Sequence, residues 1–185
     1  MQDTRIDKRY AKALFEIALE HNLLEEVYAD MNTIRKVCVS NRDFVHVLFS
    51  PIIKSEKKTA IINELFGKEF NAVTLEYLKI IIRKRREEFI SGIAEAFIEL
   101  YKEHKGIKTA YLKTAMPVDA TLRNRIIEML RTQTGCEIEL VEIIKKDLIG
   151  GFVLSIDDKQ YDASLLKQVK ELHKDFDVNL YIKGF

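Results

Sequence analysis

The chain has 185 residues, of which 47% are hydrophobic and 32% charged, and a formal net charge of +1. That length fits about one domain or two small ones, and the composition excludes a disordered chain, a collagen and a disulfide scaffold. The balance of 30 Lys and Arg against 29 Asp and Glu also argues against nucleic acid as the main partner, because phosphate binding normally leaves a basic excess.

Residues 1–105 contain only Gly67, Gly92 and Pro51 as strong breakers, and helical periodicity fills the stretch. Asp3 or Thr4 is a candidate cap for a first helix reaching about His21. A second helix is predicted from about Leu23 to Val39. Asn41 opens a short third that ends before Ser50-Pro51. Ser55 is a candidate cap for a fourth, with Gly67 just beyond its end. A fifth runs from about Asn71 to Arg85, and a sixth from about Glu87 to His104. Short links between six helices predict antiparallel packing in a compact bundle.

The remainder holds Gly106, Pro117, Gly135, Gly150, Gly151 and Gly184, so a boundary is placed near Gly106. Ile107 to Ala115 is rich in Thr, Tyr and Ile and reads as a strand. Asp119 or Thr121 caps an amphipathic helix to about Thr134, with Gly135 as its C-cap. Cys136 to Ile144 alternates polar and apolar residues, as a half-buried strand does, and Phe152 to Ile156 is another strand. Gly150-Gly151 reads as a tight turn between the two. Asp162 or Ser164 caps a last helix through about Lys174. The expected fold is α+β: a six-helix bundle over 1–105, then a small α/β domain over 106–185 with a short mixed sheet.

Catalytic and cofactor signatures are absent from the sequence. There is no GxSxG, GxxxxGK[ST] or GxGxxG, and the expected answer is no enzyme and no cofactor. Cys38 and Cys136 lack a CxxC partner and read as reduced thiols. His21, His46, His104 and His173 lack ligand spacing, so no metal is expected. The N-terminus has no apolar core of a signal peptide, and no run approaches the ~20 apolar residues of a membrane span. The run Arg83-Lys84-Arg85-Arg86 could serve a nucleic-acid-binding module. Glu87-Glu88 follows at once, which favours a solvated or ion-paired junction.

Two helices carry more apolar surface than one core needs. At about 100° per residue, Ala13, Ile6, Ile17, Tyr10, Leu14, Ala18, Ala11, Phe15 and Leu19 cover roughly 240° of the first helix. Ile80, Val73, Tyr77, Ile81, Leu78, Ile82 and Leu75 cover roughly 220° of the fifth. One core face takes an apolar stripe of about 100° or somewhat more. Either both helices are central in the bundle, or one arc of each forms a groove for a partner's amphipathic helix. The pattern alone leaves both open.

Three segments resemble one family in order along the chain. Arg9-Tyr10-Ala11-Lys12-Ala13-Leu14-Phe15 resembles the opening of the delta subunit of bacterial F-type ATP synthase, whose mitochondrial homologue is the oligomycin-sensitivity-conferring protein. Arg86-x-x-Phe89 leading to Ile93 and Phe97 resembles the family's Arg-rich link into its sixth helix. Leu148-Ile149-Gly150-Gly151-Phe152-x-Leu154-x-Ile156, followed by Asp162-x-Ser164, resembles its C-terminal LIGG segment. Ala163 stands where the family usually has Gly, and Lys145 where it often has Asp.

The resemblance implies a non-catalytic stator component that links the α3β3 head to the b-subunit stalk, so that the head resists rotor torque. It implies a groove between the first and fifth helices that grips the N-terminal helix of an α subunit. Carried over by position, the contact residues are Tyr10, Ala13, Leu14, Tyr77, Ile80 and Ile81. The second domain is expected to meet the C-terminal end of the b subunit. One copy per complex, a peripheral place on the cytoplasmic face of the bacterial cell membrane, and no nucleic acid follow from the same resemblance. The rival expectation is a helical adaptor of another complex.

Overall fold

A computed structural model of the chain describes residues 4–145, 147–167, 169 and 170. Asp3 as a cap, His173, the end of the last helix and the C-terminal tail lie outside the described residues. The fold is α+β. It divides into two compact units, Met1–Lys105 and Gly106–Phe185.

The first unit contains α1 (Thr4–Glu20), α2 (Leu24–Ser40), α3 (Arg42–Phe49), α4 (Ser55–Phe66), α5 (Ala72–Arg83) and α6 (Ile90–Lys105), with a 3-10 turn at Glu87–Phe89. α6 is the central element, buried along Ile90, Ile93, Ala94, Phe97, Ile98 and Tyr101, and both α1 and α2 pack against it. Gly92 on α6 makes that approach possible, since a Cβ there would lie 2.6 Å from Cγ of the buried Asp7 on α1. Phe66 of α4 stacks on Phe70 and meets Phe44 of α3 edge-on.

Local chemistry sets the helix ends. Asn41 accepts the Phe44 N–H and caps α3, and Asn71 accepts the Val73 N–H and caps α5. α1 ends at Asn22 in the left-handed region (φ 57°), where Leu23 N–H reaches Ala18 O and Asn22 N–H reaches Leu19 O. Ser55 is the first residue of α4 rather than its cap; Lys54 holds the cap position without a side-chain bond.

The second unit contains β1 (Ile107–Thr114), α7 (Ala120–Thr134), β2 (Glu137–Ile144), β3 (Phe152–Ile156) and β4 (Lys159–Asp162). The sheet order is β2-β1-β3-β4. β1 runs parallel to β2 and antiparallel to β3, and β4 returns antiparallel along β3. Asp119 caps α7, and Gly135 closes it at φ 66°. One sheet face meets α7 around Ala110, Leu112, Ile126, Leu130, Leu140 and Leu154. Register explains that set: Leu112 pairs with Leu154, and Ala110 lies between Leu140 and Ile156. The β4 strand departs from the sequence reading, in which 157–161 carried no element. Its polar residues Lys159, Gln160 and Asp162 lack the apolar alternation that marks a strand.

Candidate functional site

On α1 two parallel lines of residues separate cleanly. Asp7, Ala11, Leu14 and Ala18, spaced i, i+4, i+7, i+11, are all buried. Ile6, Tyr10, Ala13 and Ile17 have the same spacing about 100° away. Ile6 and Tyr10 are half-buried, and Ala13 and Ile17 are exposed. α5 repeats the arrangement. Thr74, Leu78 and Ile81 are buried, whereas Val73 is half-buried, Tyr77 lies at the boundary and Ile80 is 42% exposed.

The two outer lines meet at one point. The Tyr77 hydroxyl donates to the Tyr10 carbonyl oxygen at 3.0 Å. Burial pushes the Tyr77 hydroxyl pKa well up, so it stays protonated as a donor. Arg86 Nη1 donates to the Tyr10 hydroxyl at 2.6 Å, and its guanidinium lies 5.4 Å from the Tyr10 ring centre. A helical side chain leans toward its own N-terminus. The reach of Tyr10 to Arg86 therefore sets the N-terminal turns of α1 beside the C-terminal end of α5.

α5 is held at both ends. Asp30 of α2 accepts the Asn71 N–H at 3.0 Å, and burial raises its carboxyl pKa. Asn71 Nδ2 also donates to Glu26 at 2.5 Å. At the other end α5 stops at Arg83, two residues before the predicted end, because Arg85 turns left-handed (φ 54°). Arg86 N–H then reaches Ile81 O, and Arg85 N–H reaches Ile82 O. This helix-ending pattern usually takes Gly or Asn at the left-handed position, so an arginine there gives no sequence signal. The turn brings Arg86 back onto Tyr10.

Glu87, the residue after Arg86, meets a buried cation that the sequence analysis does not single out. Lys58 of α4 is 2% exposed. Its ammonium donates to Leu48 O at 2.6 Å and to Glu87 Oε1 at 2.5 Å. These bonds tie the C-terminal end of α3 and the 3-10 turn to α4. The available signal was spacing: Lys58 falls on the buried line of Ile62 and Phe66 at i, i+4, i+8.

The six residues carried over by position thus divide. Tyr10, Ala13, Tyr77 and Ile80 lie on the two outer lines. Leu14 and Ile81 are each 0% exposed and belong to the core beneath them, since a residue one step round from the outer line turns by about 100° into the bundle. Ile6, Ile17 and Val73 complete the outer lines instead.

A family model for the ATP synthase delta (OSCP) subunit matches residues 6–176. The chain belongs to this family. Delta/OSCP subunits are the stator component that links the head of ATP synthase to its peripheral stalk. ATP synthase subunit delta of Christiangramia forsetii is 35% identical over 98% of this chain and 98% of its own length. That of Salinibacter ruber is 36% identical over 94% and 91%. A chain of the Toxoplasma gondii mitochondrial ATP synthase hexamer has the same fold, with a TM-score of 0.72 at 24% identity over 94% of this chain and 98% of that one.

The segment that resembles the family's LIGG motif has a different role from the predicted turn. β2 and β3 are not neighbours; β1 lies between them, so Gly150-Gly151 cannot close a hairpin. The pair instead seats the chain after β4. Gly151 has φ 79°, and a Cβ there would overlap the Ala163 carbonyl and lie 3.0 Å from Ser164 Cα. Leu165 N–H reaches Gly150 O at 3.0 Å, and Ala163 N–H reaches Phe152 O at 2.9 Å. Asp162 accepts the Ser164 N–H, and Ser164 Oγ accepts the Lys167 N–H, so Ser164 caps the helical residues that follow. Bonds from the Ser164 side chain and backbone hold the Asp162 carboxyl below its ordinary range.

Among the described residues there is no cluster of His, Cys, Asp and Glu that could hold a metal ion, and no helix is long and apolar enough to cross a membrane.

Proposed function

We propose that the chain is the non-catalytic cap of a bacterial F-type ATP synthase stalk. In this reading the six-helix bundle of residues 1–105 receives the N-terminal helix of an α subunit between α1 and α5. Residues 106–185 meet the C-terminal end of the b subunit. The protein would stand at the cytoplasmic face of the cell membrane, one copy per complex. The observation that carries the reading is the pair of outer apolar lines, Ile6-Tyr10-Ala13-Ile17 and Val73-Tyr77-Ile80, joined at the Tyr77–Tyr10 bond in a chain of this family. An amphipathic helix laid along them contributes through apolar burial at about 25 cal/mol per Å², less the cost of association.

The function is mechanical. Rotor torque acts on the head, and a joint that stays closed converts rotation into work instead of head rotation. Rigid lining serves this purpose, and both ends of α5 are pinned by hydrogen bonds.

The test is calorimetric titration of the full chain with a synthetic peptide of the cognate α subunit's N-terminal segment. Ala13→Asp and Ile80→Asp each alter an exposed position, so the fold is expected to survive. A carboxylate desolvated against the apolar helix costs at least about 2 kcal/mol, which is about thirtyfold in affinity. Unchanged affinity in a folded variant refutes the site.

A further inference from the structure

The outer lines of α1 and α5 are apolar along their length but strongly cationic at one end. Around Tyr10 lie Arg9, whose guanidinium is 5.8 Å from the ring centre, and Arg86 at 5.4 Å. Lys84 follows Tyr77 by seven residues and so continues the Val73-Tyr77-Ile80 line, and exposed Arg83 borders it. None of these four cations forms an ion pair among the described residues. Of the nearby carboxylates, Asp7 is buried against Gly92, Glu87 is taken by Lys58, and exposed Glu88 forms no ion pair with any of the four among the described residues. The other cations of these two helices that pair do so along their own helix, Lys12 with Glu16 and Lys79 with Glu76.

We infer that this end recognises carboxylates, and that the helix received between α1 and α5 carries Asp or Glu at the end lying beside Arg9, Arg83, Lys84 and Arg86. The inference rests on the proposed function and adds polarity to it. An apolar stripe alone accepts a helix in either direction and lets it slide by a turn. A cationic end opposite an apolar one fixes both direction and register, because the reversed helix would place its carboxylates against Ile17 and Val73. Charge at the rim of an apolar contact acts mainly on encounter rate and on the choice between alternatives. Its effect fades as salt shortens the screening length from about 8 Å at 0.15 M to about 3 Å at 1 M.

The experiment uses the full chain and the cognate α-subunit N-terminal peptide, titrated at 50 and 500 mM NaCl. Arg83→Glu/Lys84→Glu reverses two exposed charges and leaves the Arg86–Tyr10 bond intact. The expected result is a loss on the order of tenfold in affinity at 50 mM NaCl that largely disappears at 500 mM. A peptide whose carboxylates at one end are replaced by lysines should bind the double variant better than the natural chain does. Salt-independent binding, unchanged in Arg83→Glu/Lys84→Glu but lost in Ile80→Asp, overturns the inference and leaves the apolar site standing. Unchanged peptide binding in folded Ile80→Asp overturns the site itself. Binding of a short DNA duplex at 50 mM NaCl in place of the peptide also overturns it, by assigning the cations to phosphate.

Discussion

Replacing Lys58 by methionine isolates the contribution of the buried ion pair at Glu87, next in sequence to the Arg86 that bonds Tyr10. Methionine keeps most of the apolar stem and removes the ammonium. The loss leaves Leu48 O without its 2.6 Å donor and Glu87 without its counter-charge. The Glu87 side chain is only 13% exposed, and its second oxygen, Oε2, is buried without a hydrogen-bond partner. Breaking a buried pair from one side costs about 3–5 kcal/mol. The lower end, about 3 kcal/mol, applies because the Glu87 side chain keeps some exposure. Removing both partners, as Lys58→Met/Glu87→Leu, replaces the pair by apolar groups of similar volume and should cost far less than the single change. Urea unfolding followed by far-ultraviolet circular dichroism reports chiefly the helical first unit, and a double-mutant cycle extracts the coupling. A single-variant cost below about 1 kcal/mol, or a double variant equal to the sum of the singles, refutes the account. The same variants carry a functional readout. If the pair positions the 3-10 turn and with it Arg86, Lys58→Met weakens peptide binding and Lys58→Met/Glu87→Leu restores part of it.

Two further outcomes follow from other sites. Gly151→Ala forces a left-handed φ on alanine and overlaps the Ala163 carbonyl; a loss of more than about 2 kcal/mol from the second unit is expected by denaturant unfolding, with the first unit unaffected. Burial pushes the Cys38 thiol from 9.0 up to about 11, so at pH 8 its thiolate fraction is roughly a hundredfold below that of the unfolded chain and alkylation read by mass spectrometry is correspondingly slow. Because the folded value is the raised one, the protonated thiol's contribution to stability is present below pH 9.0 and is lost as pH rises toward about 11.

Periodicity and capping determined much of this protein without further help. The six helices of the first unit are legible in the chain to within about three residues of their ends, because local hydrogen bonding and an apolar stripe are properties of consecutive residues. The apolar surplus of α1 and α5 was equally legible. Its division was not. Leu14 and Ala13 are adjacent and both apolar, and only the position of α6 decides that Leu14 is core and Ala13 is surface. Gly150-Gly151 shows the same limit. A glycine pair between two strands permits a hairpin locally, but the pairing of β1 with both β2 and β3 excludes it. The pair is needed for a segment twelve residues later, Ala163-Ser164, that no local pattern connects to it. Lys58 and Arg85 were hidden for a related reason. A buried lysine and a left-handed arginine both run against residue preference, and long-range partners hold them in place: Glu87 across 29 residues for Lys58, and Tyr10 across 76 for the Arg86 that follows Arg85. Sequence fixes what neighbours along the chain can settle; which apolar surface meets solvent, and which charge is buried, depends on elements brought together only in the folded unit.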